Sequence, residues 1–149
     1  MRPDRFAQLL LAAARSLPDT TAEPVAEDGK HLRPYLISVT SGGKTSRWQV
    51  VATSAPGDKY SEPEGEPVLG DKPEAPKPQP ATVGTPAHLE AALVTAILEA
   101  DNGEITSYDL YSRRKRVSDS GVETPDPPAI GHGATIWFRD GSKIYLNAA

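Results

Sequence analysis

Arg113-Arg114-Lys115-Arg116 is the densest charged run in this sequence, and it stands in an otherwise acidic half. Consecutive guanidinium and ammonium groups suit phosphates, so a nucleic-acid backbone is the partner such a run would contact. The plainer role for the same cations is a solvated run that balances nearby acids. The other reactive residue types do not assemble. His31, His88 and His132 are far apart, and none has a second ligand at metal spacing. Gly43-Lys44-Thr45 lacks the earlier glycine of a phosphate loop, because Ser38 holds that place, and it opens a strand rather than a helix. Gly131-His132-Gly133 lacks the third glycine of a dinucleotide loop. No serine has the flanking glycines of a nucleophile elbow, and no acids pair as general acid and base. There is no cysteine, which excludes disulfides, thiolate ligands and cysteine nucleophiles. A non-enzymatic protein without cofactor or metal is the expectation.

A second feature is apolar. Residues 133–147 read as a hairpin about Asp140-Gly141, a strong two-residue turn signal. Counting outward, Trp137 faces Ile144 and Thr135 faces Leu146. On the other side Ile136 faces Tyr145 and Phe138 faces Lys143. Both faces then carry large apolar groups, so Ile136, Phe138 and Tyr145 are the candidates for docking a protein partner or a second copy.

The elements that must carry these residues follow from periodicity. Residues 4–17 repeat Phe6, Leu9, Leu10, Ala13 and Leu17 at helical spacing, with Asp4 at the start and Pro18 as the stop. Residues 18–33 have no period and read as loop. Residues 34–53 form a hairpin about Gly42-Gly43, pairing Ile37 with Trp48, Leu36 with Gln49, Ser38 with Arg47 and Thr40 with Thr45. Thr85 caps a second helix over 86–101, with Pro86 at its first position and Asn102-Gly103 at its end. Residues 104–117 fit a helix from 107, through a Thr106–Asp109 capping spacing, or an alternating strand; the helix is favoured. Residues 118–131 read as loop. The helix, basic run and second hairpin loosely suggest a winged helix, although one helix of that fold is missing.

Between the two halves lies a stretch unlike either. Prolines at 56, 63, 67, 73, 76, 78 and 80 remove backbone donors and fix φ, and apolar residues are scarce. Residues 1–54 carry seven Lys/Arg against five Asp/Glu, residues 55–80 three against six, and residues 81–149 six against nine. No half is broadly basic, which removes the counter-ion term that drives non-specific nucleic-acid binding at domain level. No stretch approaches membrane-spanning length, and Asp4 with a short apolar run argues against a signal peptide, so a cytoplasmic location is expected.

The sequence thus leads to an α+β fold of two helix-plus-β-hairpin units sharing an antiparallel sheet. The N-terminal unit is 1–54, an acidic Pro-rich flexible linker is 55–85, and the C-terminal unit is 86–149. The expected role is protein binding or self-assembly through the C-terminal hairpin. A DNA-binding regulator that uses Arg113, Arg114, Lys115 and Arg116 is the alternative.

Overall fold

The first helix, α1 (Pro3–Ser16), begins where a proline costs nothing, because the N–H it lacks has no partner in a first helical turn. Asp4 complements the positive end, and Phe6, Leu10, Ala13 and Ala14 are buried along one stripe. The computed structural model describes residues 1–25 and 35–149, so His31 and the second part of the expected 18–33 loop lie outside the described residues. After α1 come β1 (Thr20–Pro24), β2 (Leu36–Ser41), β3 (Lys44–Thr53), α2 (Pro86–Ala100), β4 (Ile105–Leu110), β5 (Lys115–Val117), β6 (Glu123–Pro125), β7 (Gly133–Phe138) and β8 (Lys143–Ala148). Six strands form one antiparallel sheet in the order β1-β2-β3-β8-β7-β4, and β5 and β6 make a separate two-stranded ribbon. The α+β class is therefore what the chain adopts.

Each side of α2 in the sequence supplies three adjacent strands, joined at the centre by β3 and β8. The two helices pack on each other, α1 also on β1, β2 and β3, and α2 on β7 and β4. Between helices and sheet lies one core, with Trp48, Phe6, Leu93, Ile97, Ile136, Ile144 and Leu146 among its fully buried members. The β2–β3 register is the one the Gly42-Gly43 turn dictates, with Ile37 opposite Trp48 and Thr40 opposite Thr45. Thr85 caps α2 by accepting a bond from the His88 N–H.

Four expectations are corrected by this architecture. Residues 20–24 are an edge strand and not loop; only Ala22 of the strand is buried, too little to show as alternation. Residues 105–110 are strand and not helix. The Asp101 carboxylate takes the N–H groups of Gly103, Glu104 and Ile105, and Thr106 Oγ1 donates across to the Trp137 carbonyl instead of capping. Residues 123–125 are a short exposed strand within the expected 118–131 loop.

The second hairpin departs furthest from expectation. The turn between β7 and β8 is not a two-residue Asp140-Gly141 turn. Phe138 N–H bonds to the Ser142 carbonyl and closes a loop over Arg139–Ser142. Asp140 is drawn out of the tight turn, because it accepts from Ser142 N–H at 2.8 Å and Ser142 Oγ at 2.5 Å, and from the Met1 amine. The register therefore shifts by one, pairing Ile136 with Ile144, Trp137 with Lys143 and Thr135 with Tyr145. Such a shift moves every side chain of one strand to the other face. Ile136 and Phe138 enter the core, 1% and 4% exposed, and do not share a face with Tyr145. This hairpin buries one face, as the first one does.

Asp140 carries a pH consequence. Burial opposes its charge, but the Met1 ammonium and the Ser142 donors outweigh that and hold the carboxyl below its ordinary value. A folded-state value below the unfolded one contributes stability that is present above the ordinary carboxylate range and lost as pH falls through the folded value. We expect Asp140→Asn to lower the urea midpoint at pH 7, and the difference from the natural chain to shrink as pH falls through the folded-state value of the Asp140 carboxyl.

Residues 54–85 contain no helix or strand, and they lie against the body at both ends. Near the start, Arg2 forks onto Asp58 at 2.8 and 3.1 Å, and Arg5 pairs with Glu64 and bidentately with Glu104 at 2.6 and 2.7 Å. Near the end, Gly84 N–H meets His88 Nδ1 at 3.2 Å. The two sheet edges are treated differently. This segment runs beside β4, whereas β1 is blunted by Pro24 and by Arg15, whose guanidinium occupies the Ala22 carbonyl at 2.9 Å.

Candidate functional site

The sheet is covered by helices on one side, and strand alternation fixes what the other side shows. At its centre β3 presents Arg47, Gln49 and Val51, β8 presents Lys143, Tyr145 and Asn147, and β7 presents Trp137, while Thr135 on the same side of β7 is buried. Val51 sits directly opposite Tyr145, Tyr145 opposite Thr135, and Lys143 opposite Trp137. Val51 is 42% exposed and Trp137 37%, so an aliphatic and an indole side chain stand open on adjoining rows. The Lys143 ammonium lies 5.1 Å over the Tyr145 ring. Among the described residues, neither Arg47 nor Lys143 has a carboxylate within ion-pair distance. The face is thus a small apolar and aromatic patch with two cations that pair with no carboxylate among the described residues.

One end of this face is closed by Tyr111, in a single 3-10 turn at Tyr111–Arg113. Its ring is buried against Gly133, where a Cβ would meet the ring at 2.9 Å, and its hydroxyl donates to Asn147 Oδ1 at 3.0 Å. Burial raises the Tyr111 phenol above its ordinary value, and the Arg114 guanidinium stacked 5.2 Å from the ring works the other way.

The turn that aims Tyr111 is held by a buried carboxylate. Glu90 of α2, 1% exposed, accepts from Gly133 N–H at 2.9 Å, from Ser112 N–H at 3.3 Å and from the Ser112 hydroxyl. Ser112 Oγ in turn accepts from Gln79 Nε2 at 2.8 Å. His132 Nδ1 lies 3.7 Å from the same carboxylate, buried and without a hydrogen-bond partner among the described residues. Sequence reasoning passed over Glu90. Its signal was there, since position 90 falls on the stripe of Leu89, Leu93, Val94 and Ile97, where an acid is out of place.

The residues singled out from the sequence do not come together. Ile136 and Phe138 are core, and Phe138 meets Phe6 edge-on at 6.1 Å. Tyr145 alone of that trio faces outward. In the basic run, Arg114 pairs with Asp109 at 2.8 Å, Lys115 with Glu123 at 3.2 Å and Arg116 with Asp126 at 3.6 Å, while Arg113 donates to the Lys77 carbonyl. His88 accepts from the Gly84 N–H and His132 sits beside Glu90. Among the described residues no three His, Cys, Asp or Glu side chains are placed to hold a metal ion. No helix of the described residues is long and apolar enough to cross a membrane.

Compared with known proteins, the chain matches no protein-family model, no curated protein and no solved structure.

Proposed function

We propose that this chain is a cytoplasmic protein-interaction or assembly protein of two helix-and-strand units. Its docking surface is the helix-free sheet face around Val51, Trp137 and Tyr145. The observation that supports it is that Trp137 and Val51 are both exposed, on the strands that flank β8, on a face that no helix of the described residues covers. Tryptophan and tyrosine supply the largest contact area per residue at interfaces, and few residues carry most of the binding energy. Arg47 and Lys143 flank the patch, so it suits a partner with an apolar centre and an acidic rim. A duplex-DNA partner would need the cations at 113–116. Each of these already has an intramolecular acceptor, and the overall charge is −4, so protein is the partner we favour.

The two tryptophans make the test direct, because Trp48 is 0% exposed and Trp137 is 37% exposed. The acrylamide-quenchable part of the emission therefore belongs to Trp137. It should become shielded when the face is covered, either as protein concentration rises or when a purified partner is added. Trp137→Ser should abolish the shielding and the association while changing stability by no more than about 0.5 kcal/mol. An indole that stays quenchable throughout, with sedimentation showing a monomer and no partner bound, would refute the proposal.

A further inference from the structure

The segment between Gly70 and Pro80 lies between α2 and the edge of β4, and the carbonyls it offers to body side chains repeat every third residue. Arg139 donates to the Asp71 carbonyl, Tyr108 Oη to the Glu74 carbonyl at 2.6 Å, and Arg113 to the Lys77 carbonyl. The half-buried positions follow the same period, Pro73, Pro76 and Gln79, and the residues between them are exposed. A repeat of three is that of the polyproline II helix, which has three residues per turn and no internal hydrogen bonds. Prolines at 73, 76, 78 and 80 fix φ for it and push the residues before them into extended backbone. The unpaired carbonyls of such a helix must then be met from outside, and here side chains of the body meet them.

We infer that the groove formed by Tyr108, Ser112, Arg113 and Arg139 is a polyproline II recognition site, filled in cis by Pro73–Gln79 and able to take a Pro-x-x-Pro segment of another polypeptide instead. The donors read main-chain carbonyls, which any such segment presents at the same spacing. Aromatic and hydrogen-bonding side chains on a groove are the general means of capturing this helix. The ligand of the groove is a Pro-rich stretch because the three half-buried positions are two prolines and one glutamine, and the one charged side chain of the segment that reaches the body, Lys72, does so at the Glu99 carbonyl of α2, before the first of them. Gln79 closes the set through Ser112, 2.8 Å away. This site is separate from the sheet face around Trp137, and its failure would leave that proposal standing.

The cis segment is tethered on both sides, by Arg2–Asp58 before it and by Gly84–His88 after it, so it competes at high effective concentration. Apparent affinity for a second ligand falls by the fraction of time the groove is open. The experiment uses the full chain and a fluorescent peptide copying residues 70–81. We expect weak binding to the unaltered chain and binding tighter by about tenfold or more to P73S/P76S/P78S, which loses the pre-set helix of the strap. Adding Tyr108→Phe should then weaken peptide binding about two- to tenfold, the loss of one hydrogen bond. A peptide with serines in place of the prolines should not compete.

Should the triple variant fail to fold, a dye on Ala75→Cys in the otherwise unaltered chain, which has no other cysteine, reads the same event. Excess peptide should then raise the mobility of the dye. No peptide binding by the folded triple variant would overturn the inference. So would binding indifferent to Tyr108→Phe or to the prolines of the peptide, or a dye that peptide never mobilises.

Discussion

Phe138→Ala is expected to destabilise the folded chain by about 3–5 kcal/mol, as a large-to-small change in a closed core does. Phe138 is 4% exposed, sits on the core face of β7, and presents its ring edge-on to Phe6 of α1. Its removal therefore empties the contact between the end of the sheet and the start of the first helix. Small domains have total stabilities of about 5–15 kcal/mol, so a loss of this size leaves the variant marginal. Phe138→Leu, which keeps most of the volume, should cost clearly less. Urea unfolding followed by far-UV circular dichroism measures both. A Phe138→Ala chain that keeps its midpoint would place this ring outside the core.

The second large effect is expected at Glu90. Glu90→Leu leaves the N–H groups of Gly133 and Ser112 buried without acceptors, and each such orphan costs about 1–3 kcal/mol. A total of about 2–6 kcal/mol follows, measured by the same unfolding. Glu90→Gln keeps an oxygen for these donors and should cost no more than about half as much. There is also a local readout. With Ser112 released, the turn that presses Tyr111 onto Gly133 and Asn147 loosens, and the amides of residues 111–113 should exchange faster than those of α1. Unchanged exchange at this turn would show that Glu90 does not hold it.

The first hairpin was legible because its register is settled locally: two glycines with positive φ leave only one way to pair the flanking strands. The start of α2 was legible for the same reason, Thr85 and Pro86 being adjacent to the turn they begin. The second hairpin was not, although its Asp140-Gly141 is the better-known signal. Asp140 is claimed by Met1 and by Ser142, and a contact across nearly the whole sequence is invisible to a reading of neighbours. The same held for residues 104–110, where three backbone donors given to Asp101 decided between strand and helix. Of the candidate docking residues, Tyr145 was placed outward by alternation. Ile136 and Phe138 were displaced by the one-residue shift, which hid Trp137 as the exposed residue of β7.

The joint between β3 and β8 sets a timetable for making this protein. Trp48 pairs with Ala148 and Thr53 with Lys143, so the middle of the sheet is its last part to exist as the chain is synthesised. Until then β3 offers an unpaired strand edge, and the core around Trp48 lacks Ile144 and Leu146. Contacts this distant in sequence make folding slow, since the loop must close before the pairing rewards it. A nascent chain stalled before residue 143 is therefore a sticky species rather than a smaller folded one. Its natural hazard is mispairing with a neighbour on the same messenger, β3 against β3.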